Sequence, residues 1–341
     1  MKQEQEPAGD GVDEVGPGVL RVQLPIAMPG LGHVNTYLLV DGRGVALVDP
    51  GLPGRSSWAA LMARLRTAGF TPEHVHTVIV THSHPDHYGG AGKLREETDA
   101  EVVTHAAFRL NWLPDPCDAH VHDVDEDDIP QGNPFEGPTP WGTPGFGTTW
   151  RDAMRDELSD GYLTHPRPAR RLRDGDTIEL AGRPWQAVHT PGHTLDHLCL
   201  ADPESGLLLS GDHVLPSITP HISGLGTGRD PLRAFMASLD RVASLPGVRT
   251  ALPAHGHPFT DLQERVEKIK SHHEERLDKL RAALASGTPA SVVELSHELF
   301  REDHWGPMAE SETYAHLEHL RLAGEAERHE RDGLLLYSVP A

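Results

Sequence analysis

Hydrophobic and polar positions change their period several times along the chain, and this change predicts alternating strands and helices. Residues 58–70 repeat their apolar positions every three or four residues, which predicts a helix. Pro85 suits the first turn of a second helix that runs to about residue 97. Short apolar runs bounded by glycine or polar turn residues predict strands at 19–24, 34–40, 45–48, 75–80 and 101–104.

The second half of the chain alternates in the same way. A helix is expected at 231–245. From residue 262 to 284 the apolar side chains form a stripe spaced by three or four, which predicts a long amphipathic helix. Further helices at 291–300 and 312–323 precede a hairpin through Asp332-Gly333. Strands are predicted at 177–180, 184–189, 197–201, 206–209 and 250–252.

This order of elements predicts an α/β domain with a smaller appendage. The polar and acidic residues 1–18 are expected to form a disordered tail. The α/β domain is expected over residues 19–260, and a small C-terminal helical domain over residues 261–341.

Residues 112–165 interrupt the pattern. They contain Trp112, Trp141, Trp150, seven prolines and an acidic run at 123–128. Such a long connection inside a compact domain is typically either functional or disordered. The acidic run favours a solvated insertion, whereas the tryptophans favour a lid that packs over a cleft. The sequence leaves both interpretations open.

Composition and net charge limit the kinds of partner that the protein is expected to bind. The net charge of −21 disfavours nucleic acid as a partner without excluding it, because a negative surface repels polyanions. The sequence contains no apolar run long enough to span a membrane and no signal peptide pattern. Two cysteines, Cys117 and Cys199, fit a reducing compartment. We therefore expect a cytoplasmic protein with a small-molecule substrate and no membrane partner.

The first candidate metal-binding motif is "THSHPDH", which follows the predicted strand 75–80. Residues two apart on extended backbone point to the same side, so His82 and His84 address one point. Asp86 and His87 begin the next turn and address a second point nearby. Imidazole and carboxylate groups suit Zn²⁺ and related ions, although a surface cluster of histidines would have the same sequence.

Three further polar residues follow predicted strands. His193 lies in "HTPGHTLDH", Asp212 in "LLLSGDHV" and His255 in "ALPAHGHP". Each one alone could simply cap a strand end. Because open α/β folds place their sites at strand ends, the four segments together predict one functional site.

These motifs, in this order, resemble the metallo-β-lactamase superfamily of metallohydrolases. The resemblance covers about residues 19–258 apart from the insertion, and it implies a four-layer αββα sandwich. It also implies two metal ions, with a hydroxide between them that attacks the substrate. The implied metal is Zn²⁺, two per chain, with Fe or Mn as alternatives. The implied ligands are His82, His84 and His193 for the first ion, Asp86, His87 and His255 for the second, and Asp212 for both.

The resemblance assigns further roles. Asp86 and Asp212 are implied as catalytic groups that orient the nucleophile. Asp49, in "ALVDPG", matches an aspartate that supports the ligands, although a turn residue is the alternative. His221, in "LPSITPHIS", is a candidate substrate contact, with an exposed loop histidine as the alternative.

Asp212 also indicates the branch. The true β-lactamases have a cysteine at this position, whereas the glyoxalase II, lactonase and ribonuclease branch has an aspartate. The predicted C-terminal helices and hairpin resemble the winged-helix-like tail of the human β-lactamase-like protein 2 branch. A helix that reads nucleic acid should be basic, but residues 285–341 contain eleven acidic and four basic residues, a net charge of −7. Packing or homodimerisation explains this tail better than phosphate binding.

The sequence therefore favours a hydrolase of a small thioester, ester or lactone. The first alternative is an endoribonuclease, as whole-chain resemblance suggests and charge opposes. A mononuclear iron persulfide dioxygenase is a more distant alternative, because that branch shares much of the first motif. A binding module without activity is the weakest hypothesis, since no ligand position is missing.

Overall fold

The computed structural model describes residues 1–28, 30–110, 137–144, 161–162 and 164–340. Within these ranges it contains three sheets, and the largest has seven strands in the order β1 to β7. The first four strands pair antiparallel and the last three pairs are parallel. The strands are β1 Asp13–Gly16, β2 Val19–Met28, β3 Leu31–Asp41, β4 Gly44–Val48, β5 Val75–Ile79, β6 Glu101–His105 and β7 Arg170–Leu172.

The second sheet has five strands in the order β12-β11-β10-β9-β8. Only the β11–β12 pair is parallel, and its register joins Leu208 to Ala251. The apolar runs of β10 and β11 are completely buried, as expected for central strands. The strands are β8 Thr177–Leu180, β9 Arg183–His189, β10 Leu198–Asp202, β11 Leu207–Gly211 and β12 Thr250–Pro253.

Seven helices surround the sheets in the described part of the chain. Amphipathic patterning explains most of them, for example the buried stripe of Leu262, Val266 and Ile269 on the longest helix. The helices are α1 Arg55–Thr67, α2 Pro85–Tyr88, α3 Ala91–Glu97, α4 Pro231–Ala243, α5 Leu262–Leu284, α6 Val292–Leu299 and α7 Pro307–Leu322.

Three apolar clusters show how these elements form layers. The two large sheets pack face to face through residues such as Tyr37, Ile79 and Trp185. On the outer face of the seven-stranded sheet lie α1 and α3. On the outer face of the five-stranded sheet lie α4 and α5. The predicted α/β class and four-layer αββα arrangement are therefore confirmed.

The helix predicted to start at Pro85 is interrupted at Gly89-Gly90 and forms two short helices instead. The reason is the close approach of the loop after β4. A Cβ atom on Gly89 would lie 2.0 Å from the backbone nitrogen of Pro53, and one on Gly90 would lie 2.6 Å from the carbonyl oxygen of Pro50. Only glycine allows the two segments to touch here, and this contact fixes the turn that follows the THSHPDH motif.

The prediction that residues 1–18 form a disordered tail is wrong. Residues Gln3–Gln5 form a 3-10 turn and Asp13–Gly16 form the edge strand β1. Sequence polarity misled us because Glu4 is itself buried and hydrogen-bonded. Its carboxylate accepts the backbone N–H groups of Ser217, at 2.7 Å, and of Ile218, at 3.0 Å. The N-terminal segment is therefore an ordered part of the fold, anchored by Glu4.

Replacing Glu4 with alanine is expected to lower the free energy of unfolding by about 1–3 kcal/mol, because the half-buried N–H groups of Ser217 and Ile218 lose their acceptor. Chemical denaturation of both proteins measures the difference. Glu14→Ala, on the neighbouring exposed strand, is the control and should stay within about 0.5 kcal/mol of the wild type. Equal midpoints for Glu4→Ala and the wild type would contradict the structural role of the segment.

The C-terminal region consists of α6, α7 and a small sheet in the order β13-β15-β14. The strands are β13 Ala290–Ser291, β14 Glu327–Arg331 and β15 Leu334–Ser338, and the last two form the predicted hairpin through Asp332-Gly333. The region packs on the cluster that contains α4 and α5. The domain boundary at residue 261, the winged-helix resemblance and homodimerisation stay predictions.

Most of the 112–165 insertion, including Trp112 and Trp150, lies outside the described residues. Trp141 is described, and it is buried against the Tyr314 ring of α7, with 5.1 Å between ring centroids. Its indole N–H donates to Glu310 at 2.8 Å. This part of the insertion is packed, as the tryptophans indicate. Its role as a lid stays a prediction.

None of the helices that the structure describes has the length and apolar character needed to cross a membrane.

Candidate metal centre

All four chemical motifs lie at the carboxyl ends of strands, along one edge of the sandwich. The THSHPDH residues follow β5, His193 follows β9, Asp212 follows β11 directly and His255 follows β12. The parallel pairs β4–β5 and β11–β12 bring these ends to the same side. The αββα fold thus places distant parts of the sequence at one point.

Close backbone approach shapes two of these turns. Gly211, with φ of 51°, precedes Asp212, and a Cβ atom there would lie 2.6 Å from His197 Nε2. Gly192, with φ of 134°, precedes His193, and its Cβ would lie 2.4 Å from Phe235 Cβ. Glycine is required at both positions for conformation and for space.

The first group of side chains consists of His82, His84, His193 and Asp212. Their potential ligand atoms all lie within 4.8 Å of one another. His84 Nδ1 is 2.9 Å from His82 Nε2 and 3.0 Å from His193 Nε2. Asp212 Oδ2 is 3.5 Å from His193 Nε2. Three imidazole nitrogens and one carboxylate oxygen therefore converge on one small volume.

The second group consists of Asp86, His87 and His255, which also lie within 4.8 Å of one another. Asp86 Oδ2 is 3.4 Å from His87 Nε2 and 3.4 Å from His255 Nε2. Asp212 reaches this group as well, with Oδ1 3.3 Å from His255 Nε2 and Oδ2 3.6 Å from His87 Nε2. Asp212 is thus the residue that the two groups share.

Two of the rings are held from the side away from the site by a hydrogen bond to a backbone carbonyl. His193 Nδ1 donates to the carbonyl of His221 at 2.8 Å, and His255 Nδ1 donates to the carbonyl of His33 at 2.6 Å. A carbonyl accepts only, so each of these two rings carries a proton on Nδ1, and in the neutral ring the lone pair is on Nε2. Partners of this kind fix the tautomer and orientation of ligating histidines.

Asp49 performs the same function for His87. Its Oδ2 lies 2.9 Å from His87 Nδ1, and it also accepts the backbone N–H and the hydroxyl of Thr81, both at 2.8 Å. The Thr81 hydroxyl gives its proton to Asp49, so it accepts from His82 Nδ1 at 3.0 Å. Asp49 has φ of 56°, a left-handed conformation that aspartate tolerates better than most residues. Asp49 thus lies in contact with His87 and Thr81, and its role in supporting metal ligands stays a prediction.

Electrostatics differ between the two groups. Burial lowers the pKa of His84 to about 3 and the pKa of His82 well below its ordinary value, which keeps both rings neutral. Burial opposes charge at His255 too, but Asp212 and Asp86 raise its pKa to about 10. They raise the pKa of His87 in the same way. The two carboxylates therefore require positive charge beside them.

These donors fit divalent metal ions. Two ring nitrogens at about 2.0–2.1 Å from one tetrahedral zinc lie about 3.3 Å apart, close to the separations of His82, His84 and His193. Among the residues that the structure describes, His87 Nε2, His255 Nε2 and Asp212 Oδ1 are buried without a hydrogen-bond partner. Such atoms are costly unless an ion satisfies them. Cations would supply both the positive charge and the missing partner.

Sequence reasoning missed several residues that support this site. Thr81 precedes the first motif directly, and its small polar side chain was the available signal. His33 is 222 positions from His255, so no local pattern connects the two. His197 accepts the backbone N–H of Asp212 at 3.0 Å. Asp196 accepts from the Ser83 hydroxyl at 3.0 Å, and burial raises the pKa of its carboxyl to about 6.

His221 touches the site through its backbone, since its carbonyl accepts from His193. Its ring is 22% exposed and lies 3.2 Å from Glu312 of α7. The exposed-loop alternative therefore does not describe this histidine. Its contact with substrate stays a prediction.

A third group of potential ligands, His273, Glu312 and His316, lies buried between α5 and α7. His273 Nδ1 and His316 Nε2 are 3.1 Å apart, and burial lowers the pKa of His316 to about 4. Glu312 already forms an ion pair with Arg276. A cation here would lie beside that guanidinium, so we interpret the two histidines as a neutral hydrogen-bonded pair.

Comparison with known proteins agrees with this geometry. Residues 29–277 match the model of the metallo-beta-lactamase superfamily. The lactamase-like protein vrtG of Penicillium aethiopicum is 31% identical over 285 residues, which are 82% of this chain and 70% of that protein. An atrochrysone carboxyl ACP thioesterase of Aspergillus fumigatus is 29% identical over 264 residues, 75% of this chain and 62% of that protein. This chain thus spans less than two thirds of the thioesterase.

A beta-lactamase-like protein 2 homolog of Caenorhabditis elegans is 23% identical over 276 residues, which are 81% of this chain and 73% of that protein. Among solved structures, a metallo-beta-lactamase family protein of Thermus thermophilus is 31% identical, with a TM-score of 0.74. The match covers 96% of this chain and 100% of that one. The similarity includes the C-terminal region.

Proposed function

The chain belongs to the metallo-β-lactamase superfamily of hydrolases, and from that premise we propose that it is a dinuclear zinc hydrolase of a small acyl thioester. The observation that carries the proposal is the pair of ligand groups that share Asp212. Neither group is missing a donor, and all seven side chains are buried except His84, which is half-buried.

The residues would divide between the ions as follows. His82, His84 and His193 would hold the first, and Asp86, His87 and His255 would hold the second. Asp212 would contribute to both. Zinc is the proposed metal because histidine nitrogen and carboxylate oxygen are its usual ligands, although Fe or Mn would also accept this set.

Bound ions of this type lower the pKa of water and polarise a carbonyl oxygen. The protein contributes orientation and proton transfer. The carboxylates of Asp86 and Asp212 would orient the attacking water, and an Asp86 oxygen would accept its proton, since both Asp212 oxygens would be bound to the ions. The water oxygen forms a bond to the acyl carbon, the C–S bond breaks, and the proton passes to the leaving thiolate. The products are a carboxylic acid and a free thiol.

Thioesters are favoured within the class of small carboxylic substrates by the similarity to the Aspergillus thioesterase. Esters and lactones present the same carbonyl and would be attacked in the same way. The negative net charge and the acidic C-terminal region oppose RNA, which is a polyanion. Partners other than a small substrate, including a second copy of the chain, have no specific support here.

The test is a substrate panel with the zinc-loaded protein. Acyl thioesters of N-acetylcysteamine, p-nitrophenyl esters, γ-lactones and a labelled RNA oligomer would be compared at equal concentrations. We expect release of free thiol, and we expect Asp86→Asn to lower that rate by about a hundred-fold or more. Cleavage of the RNA without hydrolysis of any acyl substrate would overturn the proposal. So would oxygen-dependent sulfite formation from a persulfide, which characterises the iron dioxygenase alternative.

A further inference from the structure

Glu312 of α7 is a buried carboxylate that joins the C-terminal helices to the rest of the chain. Its side chain is 9% exposed. One oxygen forms an ion pair with Arg276 of α5, and the other lies 3.2 Å from His221 Nδ1. Burial opposes ionisation, but Arg276 and His221 hold the pKa of Glu312 below its ordinary value. Glu312 is therefore negatively charged and fixed on both sides.

His221 connects Glu312 to the candidate metal centre through its backbone. Its backbone carbonyl accepts from His193 Nδ1 at 2.8 Å. The other nitrogen of His193 points into the first ligand group, 3.0 Å from His84 Nδ1. A continuous series of contacts, Arg276–Glu312–His221–His193, thus connects α5 and α7 to one proposed ligand.

The segment that carries His221 depends on other elements of the fold for its position. Residues 212–230 connect β11 to α4 without a helix or strand. Fixing such a connection costs conformational entropy, so its position must be set by contacts with other elements. On α7, Ser311 Oγ accepts the N–H of Gly224 at 3.1 Å, and His319 lies 3.0 Å from Asp230. Helix α7 therefore supports the segment at three separate places.

We propose that Glu312 is a positioning residue for the metal centre. Its carboxylate holds the His221 ring, and this contact places the His221 carbonyl where it orients His193 towards the first ion. The inference rests on the proposed dinuclear site but not on the identity of the substrate. It assigns the C-terminal helices a role in the geometry of the centre. Partners that orient a ligating histidine change metal affinity by about ten- to a hundred-fold when they are lost.

Helix α7 offers a matched control for this test. Glu318 is a second buried carboxylate on the same helix, and it pairs with Arg321 and Arg328 and accepts from Tyr337. Its described contacts are on the C-terminal hairpin and on α7, away from His221. Glu318→Gln therefore removes the same charge from the same helix without touching the series of contacts that leads to His193.

The experiment is a titration of the metal-free full-length protein with Co²⁺ in the presence of a competing chelator, followed by visible absorption. We expect Glu312→Gln to raise the Kd of one of the two bound ions about ten-fold and to shift its absorption band. We expect Glu318→Gln to leave both Kd values within about two-fold of the wild type, although both variants lower Tm. Equal Kd values and equal spectra for the two variants would overturn the proposal.

His221→Ala provides a second route if Glu312→Gln does not fold, since its ring is partly exposed. It is expected to weaken the same ion. Where Glu312→Gln folds, the double variant Glu312→Gln/His221→Ala should bind no worse than His221→Ala alone, because the two residues act through one contact. Strictly additive losses would contradict the series of contacts. The titration uses no substrate, so it can succeed even if thioesters are not hydrolysed, and it can fail while hydrolysis is observed.

Discussion

Replacing Asp212 with asparagine is expected to lower kcat/KM by well over a hundred-fold and to remove at least one metal ion per chain. Asp212 lies within 3.3–3.9 Å of four histidine rings, two in each ligand group. An amide keeps the shape but loses the negative charge that both ions would share. Since loss of a partner outside the ligand shell already costs about ten- to a hundred-fold, loss of a shared ligand should cost more.

The measurements are steady-state kinetics on the best substrate of the panel and metal analysis after gel filtration. Asp240→Asn is the control for a change of charge, because Asp240 is an exposed residue of the outer helix α4 whose side chain pairs with Lys270 of α5. It should retain wild-type kinetics. A variant of Asp212 that binds two ions and keeps its activity would show that the carboxylate is not shared.

The second large effect is expected at Asp49, although it touches no proposed ion. Asp49→Asn should lower metal affinity and kcat/KM by about ten- to a hundred-fold. It should also destabilise the fold by about 1–3 kcal/mol, since the carboxylate accepts from both groups of Thr81 and faces His87. In the variant, the asparagine NH₂ group would face donors on Thr81 or His87, from which the carboxylate accepts hydrogen bonds in the wild type.

Asp202→Asn separates stability from function. Asp202 is equally buried, accepts two backbone N–H groups and pairs with Arg183, but it lies at the far end of β10. We expect the two variants to lose similar unfolding free energy, and only Asp49→Asn to lose metal. Equal metal content in both would reduce Asp49 to a turn residue with a purely structural role.

Much of the candidate site could be predicted from the sequence, because its ligands follow strands within short local motifs. His82, His84, Asp86 and His87 are neighbours in the chain, and each remaining ligand follows an apolar run. The four segments occur in the order that is typical of the metallo-β-lactamase superfamily. A pattern of this kind needs no knowledge of tertiary contacts.

The supporting residues depend on contacts that no local pattern contains. His33 orients His255 through its carbonyl, and any residue type has a carbonyl. Glu312 looks like one of many acidic residues in an acidic region until its burial beside Arg276 is seen. Polarity alone also misplaced residues 1–18, since Glu4 is buried by partners more than two hundred positions away. Tertiary contacts decide these cases.

Two predicted helix boundaries were wrong for a similar reason. Pro85 correctly begins a helix, but the approach of Pro50 and Pro53 ends it four residues later. The predicted helix 312–323 in fact begins at Pro307, because a proline suits the first turn and the polar residues that follow are used in packing. Glu310 accepts from Trp141, and Ser311 accepts from Gly224. Packing between elements overrides periodicity at both places.

Seven side chains form the proposed dinuclear centre, and stepwise metal reconstitution tests this arrangement most directly. Metal-free protein would be titrated with Zn²⁺ while hydrolysis of the best substrate is followed, with metal content measured at each point. We predict that activity rises until two zinc ions are bound per chain and then stays constant. Full activity with a single ion per chain, whether zinc or iron, would contradict the dinuclear centre.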